Sequence, residues 1–589
     1  MNIGLLIILL LLIINNIFAQ NTKSEIYREP SIIKVNQVGY IPSRRKLFMV
    51  SNANPSSFAI IDNKTKEVVY KGKFVEKIYD KDTGEHVHIG DFTDFRKEGE
   101  YYIEILPSKE KSYVFKISSN VFNDVFVVTM RSFYLQRCGS KVYNDKGELI
   151  YDACHLDDAE FLEEHFGKSL SGIKKDFTGG WHDAGDYGKY IVNAGITCGT
   201  LLLMFEFNEE KLKNINLNIP KNYKNLPDVL EEIKYELDWF LKMQTDDGGV
   251  YFKVASKGFP GFCLPNKDKS KRFVYGVSSV ATANFAAVMA MAARVYKNYL
   301  PEYSRQCLEA AEKAWKYLIQ NPEIVPKGGF DDPFLKDAGY EGDTDDTDER
   351  LWAAAELFAT TFKKEYNDYF IENYKKWTPT IDYLPSWIDL HVFGMIRYLL
   401  TPQADEKIKQ QIKTDLVSYL NKIIATIVKR SGYRVALKHD MYYWGSNAVA
   451  LNNGLLFIVG YRVTKNEEYL DTAFDQLCYI LGRNSLDKSF VTEVGYNYPM
   501  NPHHGVMVAL KTVLPGFLVG GPNKDLEDFV LYRNFGKDPN YPVAKRYIDI
   551  DPTTANLERG YKGQTSFASN EPCISYNAPL EFVLAEFIY

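Results

Sequence analysis

The sequence predicts a mainly α-helical fold, an inner and an outer ring of helices, preceded by a small β-sandwich. Three observations carry this expectation. Residues 31–118 run in short apolar or alternating stretches with turn residues between them. From about Val121 the texture changes to long helical periodicities that continue to the C-terminus. Several of those segments, Ala281 to Ala293 among them, are apolar nearly all round and belong inside a helical assembly rather than on its surface.

The chain begins with twelve apolar or glycine residues, Ile3 to Ile14, followed by Asn15-Asn16 and Ile17-Phe18-Ala19-Gln20. That run is short for a bilayer span and suits the core of a signal peptide over residues 1–20, which places the protein outside the cell or in the periplasm. No basic residue precedes the apolar run. Stable membrane insertion is not expected. The first domain, 31–118, contains Lys46-Leu-Phe-Met-Val50, Ser57-Phe-Ala-Ile-Ile61 and Tyr101-Tyr-Ile-Glu-Ile105, strand-like runs at the spacing of a sandwich. The second, 121–589, is expected to hold about a dozen helices. Among them are Val121–Arg137, Leu226–Met243, Ser278–Tyr299, Glu302–Ile319, Glu349–Thr361, Asp389–Leu400, Glu406–Lys429, Asn447–Val463 and Glu468–Leu481. The segments Phe177–Asn193, Gly328–Asp348 and Phe490–Pro522 are longer than simple connections require and are candidates for function.

Composition narrows the chemistry. At 589 residues, 46% hydrophobic and 14% aromatic, the chain has ample core material and rings to spare for a binding surface. A net charge of -6 with no long basic run argues against nucleic acid. Seven cysteines spread from Cys138 to Cys573 do not form a disulfide framework pattern.

The densest polar patch is Gly179-Gly-Trp-His-Asp-Ala-Gly-Asp-Tyr-Gly-Lys-Tyr190, ahead of a helical stretch. Asp183 and Asp186 on one tight turn can grip a single water, one as base and one orienting it. Glu571 lies in the mostly uncharged stretch Ser569-Asn-Glu-Pro-Cys-Ile-Ser-Tyr-Asn-Ala578, where weak solvation would keep it protonated as an acid. Each feature alone also fits a helix cap or a solvated side chain. Cys138, Cys154, His155 and His182 form a Cys2His2 set suited to tetrahedral Zn²⁺, although buried packing is the commoner role of such cysteines. Asp343-Thr-Asp-Asp-Thr-Asp-Glu349 crowds five carboxylates before a helix, which fits an oxygen-ligated cation such as Ca²⁺ or an exposed acidic helix start.

These motifs, in this order, resemble glycoside hydrolase family 9, in the branch with an N-terminal immunoglobulin-like domain. The resemblance runs through Val35-Asn-Gln-Val-Gly-Tyr40, Asp91-Phe-Thr-Asp-Phe95, Gly179–Tyr190 and Asp348-Glu-Arg-Leu-Trp-Ala-Ala-Ala-Glu-Leu357. It continues through Trp444-Gly-Ser-Asn447, Leu481-Gly-Arg-Asn484, Ser489-Phe-Val-Thr492, Pro502-His-His504, Pro515–Pro522, Asn570-Glu571 and Tyr576-Asn-Ala-Pro579. It implies an (α/α)6 barrel and an inverting endo-β-1,4-glucanase acting on β-glucan. Asp186 would be the general base, Asp183 its water-holding partner, Glu571 the general acid, and His503 a substrate contact. Trp181, Tyr187, Trp444, Tyr496 and Tyr498 are candidates for sugar stacking. The resemblance also implies a structural zinc on the Cys2His2 set and calcium at Asp345, Asp348 and Glu349 with Asp389.

Three departures stand out. Gly505 occupies the position of the family's Arg, Glu493 that of a small residue, and Gly560-Tyr-Lys562 lacks an Asp and an aromatic found upstream of the acid. The first two changes would favour a cationic sugar or alter the leaving-group subsite; because the resembled branch also includes exo-acting glucosaminidases and glucosidases, such an activity on short oligosaccharides is the alternative. A non-catalytic carbohydrate-binding protein is the alternative from another class, and the presence of all three carboxylates argues against it.

Overall fold

The computed structural model describes residues 31–335, 343–378, 384–551 and 565–589. The leader over 1–20 and the Gly560–Lys562 stretch lie outside the described residues.

Nine strands build the sandwich: β1 (Ile33–Lys34), β2 (Gly39–Tyr40), β3 (Leu47–Ser51), β4 (Ser57–Asp62), β5 (Val68–Gly72), β6 (Phe74–Asp80), β7 (Glu85–Asp91), β8 (Gly99–Leu106) and β9 (Phe115–Ile117). They pair as β1-β3-β7-β6 and β2-β9-β8-β4-β5. Alternation selects the inner face, as Tyr101, Ile103 and Ile105 of β8 point into the core. Between the sheets Phe48 meets Phe58 edge to face at 4.8 Å and Tyr40 meets Phe92 at 5.1 Å.

Twelve helices of the described residues form the barrel. The outer six are α1 (Asn123–Leu135), α3 (Asp228–Met243), α5 (Pro301–Gln320), α7 (Lys364–Asn373), α9 (Glu406–Thr426) and α11 (Glu467–Ile480). The inner six are α2 (Ile191–Leu212), α4 (Ser279–Val295), α6 (Thr347–Thr361), α8 (His391–Leu400), α10 (Ser446–Thr464) and α12 (Ile574–Phe587). Neighbouring inner helices pack α2 on α4, α4 on α6, α6 on α8, α10 on α12 and α12 on α2, which closes the ring at the chain's two ends. Sequence separates the rings: α5 has one buried face (Tyr303, Cys307, Ala310, Ala311, Ala314, Leu318), whereas α4 is buried on all sides apart from Arg294. Ser278, Asp405 and Asn466 cap α4, α9 and α11 by accepting backbone N–H groups. One described helix, α2, is apolar and long enough to cross a bilayer, and it is an inner barrel helix.

Helices α2, α7 and α12 go beyond the nine segments picked out by periodicity, α2 being expected only as an unbounded helical stretch after Tyr190. Pro579 sits inside α12, where the missing N–H and ring would normally break a helix. Burial of Leu580, Phe582, Val583 and Leu584 between α2 and α10 holds that helix regardless. Every outer helix returns the chain to one end of the barrel. Asp183, Asp348, Asp389, Trp444 and Glu571 therefore all sit at the N-terminal starts of inner helices.

The sandwich is fastened to the barrel by hydrogen bonds rather than by a linker. Gln37 donates its backbone N–H to Leu481 O (2.8 Å) and its side-chain amide to Asp487 O (2.8 Å). Its Oε1 accepts from the N–H groups of Tyr496 (2.8 Å) and Asn497 (2.9 Å). Tyr433 donates to Glu85 at 2.6 Å, and Gly432 N–H to Asp80 at 2.8 Å.

Candidate active site

The turn that carries the two aspartates is closed by its own backbone, since Asp183 N–H donates to Gly188 O at 2.9 Å. Asp186 Oδ2 in turn accepts Gly188 N–H at 3.2 Å. Short strands support the turn from below: β10 (Glu160–Phe161), β11 (Lys189–Tyr190), β12 (Lys253–Ser256) and β13 (Arg272–Val274), in the order β10-β13-β12-β11. Arg272 donates to Tyr187 O (2.7 Å) and pairs with buried Asp158 (2.7 Å).

The structure brings Glu571, from the other end of the sequence, against this turn. Its Oε1 accepts the N–H of Gly185 at 3.1 Å, so the acid is bonded to the residue next to Asp186. The approach demands glycine. A Cβ at residue 185 would lie 2.1 Å from His503 O and 2.9 Å from Glu571 Oε1. Ile574 N–H donates to Asp183 O at 2.9 Å, a second clasp between the two ends.

Burial pushes the Glu571 carboxyl well above the usual range, and the charges of Asp186 and then Asp183 add to it, against the pull of the Gly185 N–H. Burial also raises Asp186, but the Gly188 N–H and the cations Arg272 and Lys253 favour its ionised form. Burial and like charge thus favour the protonated form of Glu571, whereas at Asp186 an N–H and two cations oppose the effect of burial. A carboxyl that favours its proton beside carboxylates that can ionise can protonate a leaving oxygen and activate a water.

His503 lies beside this pair. Its Nδ1 meets Thr565 Oγ1 at 2.7 Å, and burial lowers its pKa to about 4, so the ring is neutral. Phe262 (5.0 Å) and Phe567 (5.8 Å) flank it edge to face, and Phe567 meets Trp444 at 5.3 Å. These four half-buried rings make a continuous row, tied to the Glu571 segment by the His503 N–H donating to Asn570 O at 2.9 Å. Phe262 and Phe567 were not among the sequence candidates. Aromatics inside the glycine- and proline-rich stretch Gly258-Phe-Pro-Gly-Phe262 were the available signal for the first.

Other stacking candidates are placed elsewhere. Trp181 is 1% exposed, and its indole donates to Glu232 at 2.9 Å beneath the turn; it is core, not platform. Tyr187 is 2% exposed, with its hydroxyl on Cys263 O and its ring against His155 and His182. Tyr496 stacks on Tyr113 of the sandwich at 4.9 Å and 3°, so it belongs to the domain contact. Tyr498 is half-buried, near the charge of Glu493.

Gly505 begins a short helix, Gly505–Leu510, and donates its N–H to Gly185 O at 2.8 Å. A Cβ there would come within 2.6 Å of the Tyr187 hydroxyl, so Tyr187 occupies space that any side chain at 505 would need. Glu493 is exposed at φ +55°, facing the charge of Asp145.

Cys138, Cys154, His155 and His182 converge, with one ligand atom from each lying within 4.8 Å of the others. Cys138 Sγ to His155 Nδ1 is 3.6 Å, Cys154 Sγ to His182 Nε2 is 3.8 Å, and His182 Nε2 to His155 Nδ1 is 3.4 Å. These match the edges, roughly 3.3 to 3.8 Å, of a tetrahedron with zinc-to-sulfur and zinc-to-nitrogen bonds of about 2.3 and 2.0–2.1 Å. Asp268 Oδ2 stands 3.4 Å from the outer nitrogen of His155, the carboxylate that orients a ligating imidazole. None of the seven cysteines forms a disulfide.

The acidic stretch divides differently from expectation. Asp345 pairs with Lys376 at 2.7 Å and Asp346 with Arg350 at 2.8 Å, so Asp345 is directed away. Asp343 replaces it. Asp343 Oδ2 and both Glu349 oxygens are buried and, among the described residues, have no hydrogen-bond donor. Asp348 accepts Leu390 N–H at 2.6 Å and feels the charge of Asp389, which bonds His391. Burial and mutual repulsion raise Asp343 to about 7 and Asp348 to about 6, and raise Glu349 well above the usual range. Crowded, undersatisfied oxygens of this kind fit a hard divalent cation.

Comparison with known proteins decides the family. The family model of glycosyl hydrolase family 9 matches residues 122–584, and that of the cellulase N-terminal Ig-like domain matches residues 28–110. The chain belongs to glycosyl hydrolase family 9. Among its family 9 relatives, Endoglucanase D of Acetivibrio thermocellus is 35% identical over 96% of this chain and 84% of its own. A xyloglucan-specific endo-beta-1,4-glucanase of Bacteroides ovatus is 30% identical over 93% of this chain and 92% of its own. The crystal structure of the family 9 endoglucanase J30 superposes with a TM-score of 0.86 at 33% identity, over 93% of this chain and 99% of that one. A Zn-binding triple mutant of J30 superposes equally well. The (α/α)6 barrel with an Ig-like sandwich is thus the family 9 architecture of this chain.

Proposed function

We propose that this enzyme is a secreted endo-β-1,4-glucanase that hydrolyses β-glucan with inversion. Asp186 takes a proton from a water that Asp183 helps to hold, that water attacks the anomeric carbon from one face, and Glu571 gives its proton to the departing glycosidic oxygen. The observation that carries this reading is the Gly185 contact, which sets Glu571 against the turn that holds Asp183 and Asp186. The ring row Phe262, His503, Phe567 and Trp444 supplies sugar-binding faces leading away from the acid. A neutral His503 adds no charge, which suits an uncharged glucan better than an amino sugar. The Bacteroides ovatus relative's substrate and the Acetivibrio thermocellus relative's name point the same way. Export rests on the apolar leader alone.

Two ions would support the site without taking part in the reaction. Zn²⁺ on Cys138, Cys154, His155 and His182 would have four protein ligands and no open position, and would anchor the residue before Asp183. Ca²⁺ held by Asp343, Asp348, Glu349 and Asp389 would neutralise the start of α6. Product profiling on carboxymethylcellulose, xyloglucan, mixed-linkage glucan and chitosan oligomers tests the reading. A rapid fall in viscosity on a neutral or carboxymethylated glucan is expected, absent in D186A and E571A. Release of single residues from chitosan oligomers, with glucans untouched, would refute it.

A further inference from the structure

Asp183 is held from both sides by two groups that neither the acid nor the base role explains. One amide hydrogen of Asn193, in the first turn of α2, goes to Asp183 Oδ1. The thiol of Cys573, the residue that begins α12, donates to Asp183 Oδ2 at 3.7 Å. The two are themselves joined, since Asn193 Nδ2 lies 3.2 Å from Cys573 Sγ, and Ser575 Oγ closes on the same sulfur at 3.3 Å. All three side chains, Asp183, Asn193 and Cys573, are buried. The Asn193 orientation is dictated by charge, because turning the amide over would set its oxygen against the carboxylate. That leaves Asn193 Oδ1 buried with no donor among the described residues, an arrangement kept although it is unfavourable for the amide itself.

We infer that Asn193 and Cys573 are positioning residues for the reaction: together they lock the rotation of the Asp183 carboxylate that holds the attacking water. Cys573 stands two residues after Glu571, so the same segment that delivers the acid also orients the opposite carboxylate. Acid and water-holding group are thereby kept in register across the joint where the first and last inner helices meet. A carboxylate free to rotate would still let substrate bind but would misplace the water, and misplacement by about 1 Å is enough to slow a reaction roughly 100-fold.

The inference rests on the reading of Asp183 given above, and the test separates the two. In the full-length enzyme acting on cellopentaose, C573A and N193A are expected to lower kcat by about 10- to 100-fold while KM stays within about 3-fold. C573S, which keeps a donor of similar reach, is expected to recover most of the lost rate. Packing alone predicts the reverse order, because serine buries a more polar group than alanine does. In a D183A background, C573A should remove nothing further from the residual rate, since its effect runs through Asp183. Thermal melts on every variant identify any that fails to fold, and N193A then carries the kcat and KM comparison alone. A fully active, folded C573A or N193A, or C573S as slow as C573A, overturns the inference. An active D183A overturns the reading beneath it instead.

Discussion

At the residue scale, glycines 185 and 505 and the carboxyl pair do more to define this site than any aromatic. Glu571 keeps its proton because burial and two neighbouring negative charges disfavour the ionised form. Replacing Asp186 by Asn removes the larger of those charges, so the midpoint of Glu571 should move down; carbon-13 carboxyl NMR titration checks this, and an unmoved midpoint would rule out the contribution of Asp186. Because Glu571 must be protonated and Asp186 ionised, activity should fall on the alkaline side with the Glu571 midpoint and on the acid side with that of Asp186. Gly505 offers a steric test. G505A sets a methyl against the Tyr187 hydroxyl and should cost about 1–3 kcal/mol of stability. Y187F removes the clash, so in a double-mutant cycle followed by denaturant unfolding the pair should be less harmful than the sum of the singles; strict additivity would disprove the contact.

Among elements, the two cation clusters and the helix ends matter most. Asp343, Asp348 and Glu349 have folded-state pKa values above their unfolded ones. Without a cation, the folded state holds protons that the unfolded chain releases, so stability falls as pH rises from about 4 towards the folded values near 6 and 7. Ca²⁺ displaces those protons. The rise in melting temperature on adding Ca²⁺ should therefore be larger at pH 7.5 than at pH 5, and an equal rise at both would contradict the site. For the Cys2His2 cluster, metal analysis should find about one zinc per chain, and stripping it should lower both melting temperature and activity, because His182 directly precedes Asp183. Most helices were legible from period alone. The α12 helix was not, since Pro579 is a local stop signal that only burial overrules, and α7 was not because its ten residues bury just Tyr366 and Phe370. The acidic run was legible as a cluster, but which carboxylates turn inward depended on an i,i+4 pair of Asp346 with Arg350 and on Lys376, which lies outside any local pattern.

Over the whole molecule, the proposed catalytic trio was visible in the sequence only as motifs at opposite ends of a long chain. Closure of the helical ring is what makes Gly185 and Glu571 neighbours. The misplaced aromatics have the same origin: Trp181 and Tyr187 flank the catalytic turn in sequence, yet local order does not say which way a ring faces, and both turn inward to support it. The sandwich acts as a brace through Gln37, whose replacement by Ala would leave the Tyr496 and Asn497 N–H groups without their acceptor. Q37A should lower stability by about 2–4 kcal/mol with little change in KM, measured by denaturant unfolding and by kinetics on a soluble glucan. The central claim, that Asp186 and Glu571 act on opposite faces of the bond with water between them, is tested most directly by proton NMR during the first minutes of cellopentaose hydrolysis. The account predicts that the newly formed reducing end appears first as the α anomer. A β anomer appearing first would mean retention through a covalent intermediate, and would contradict it.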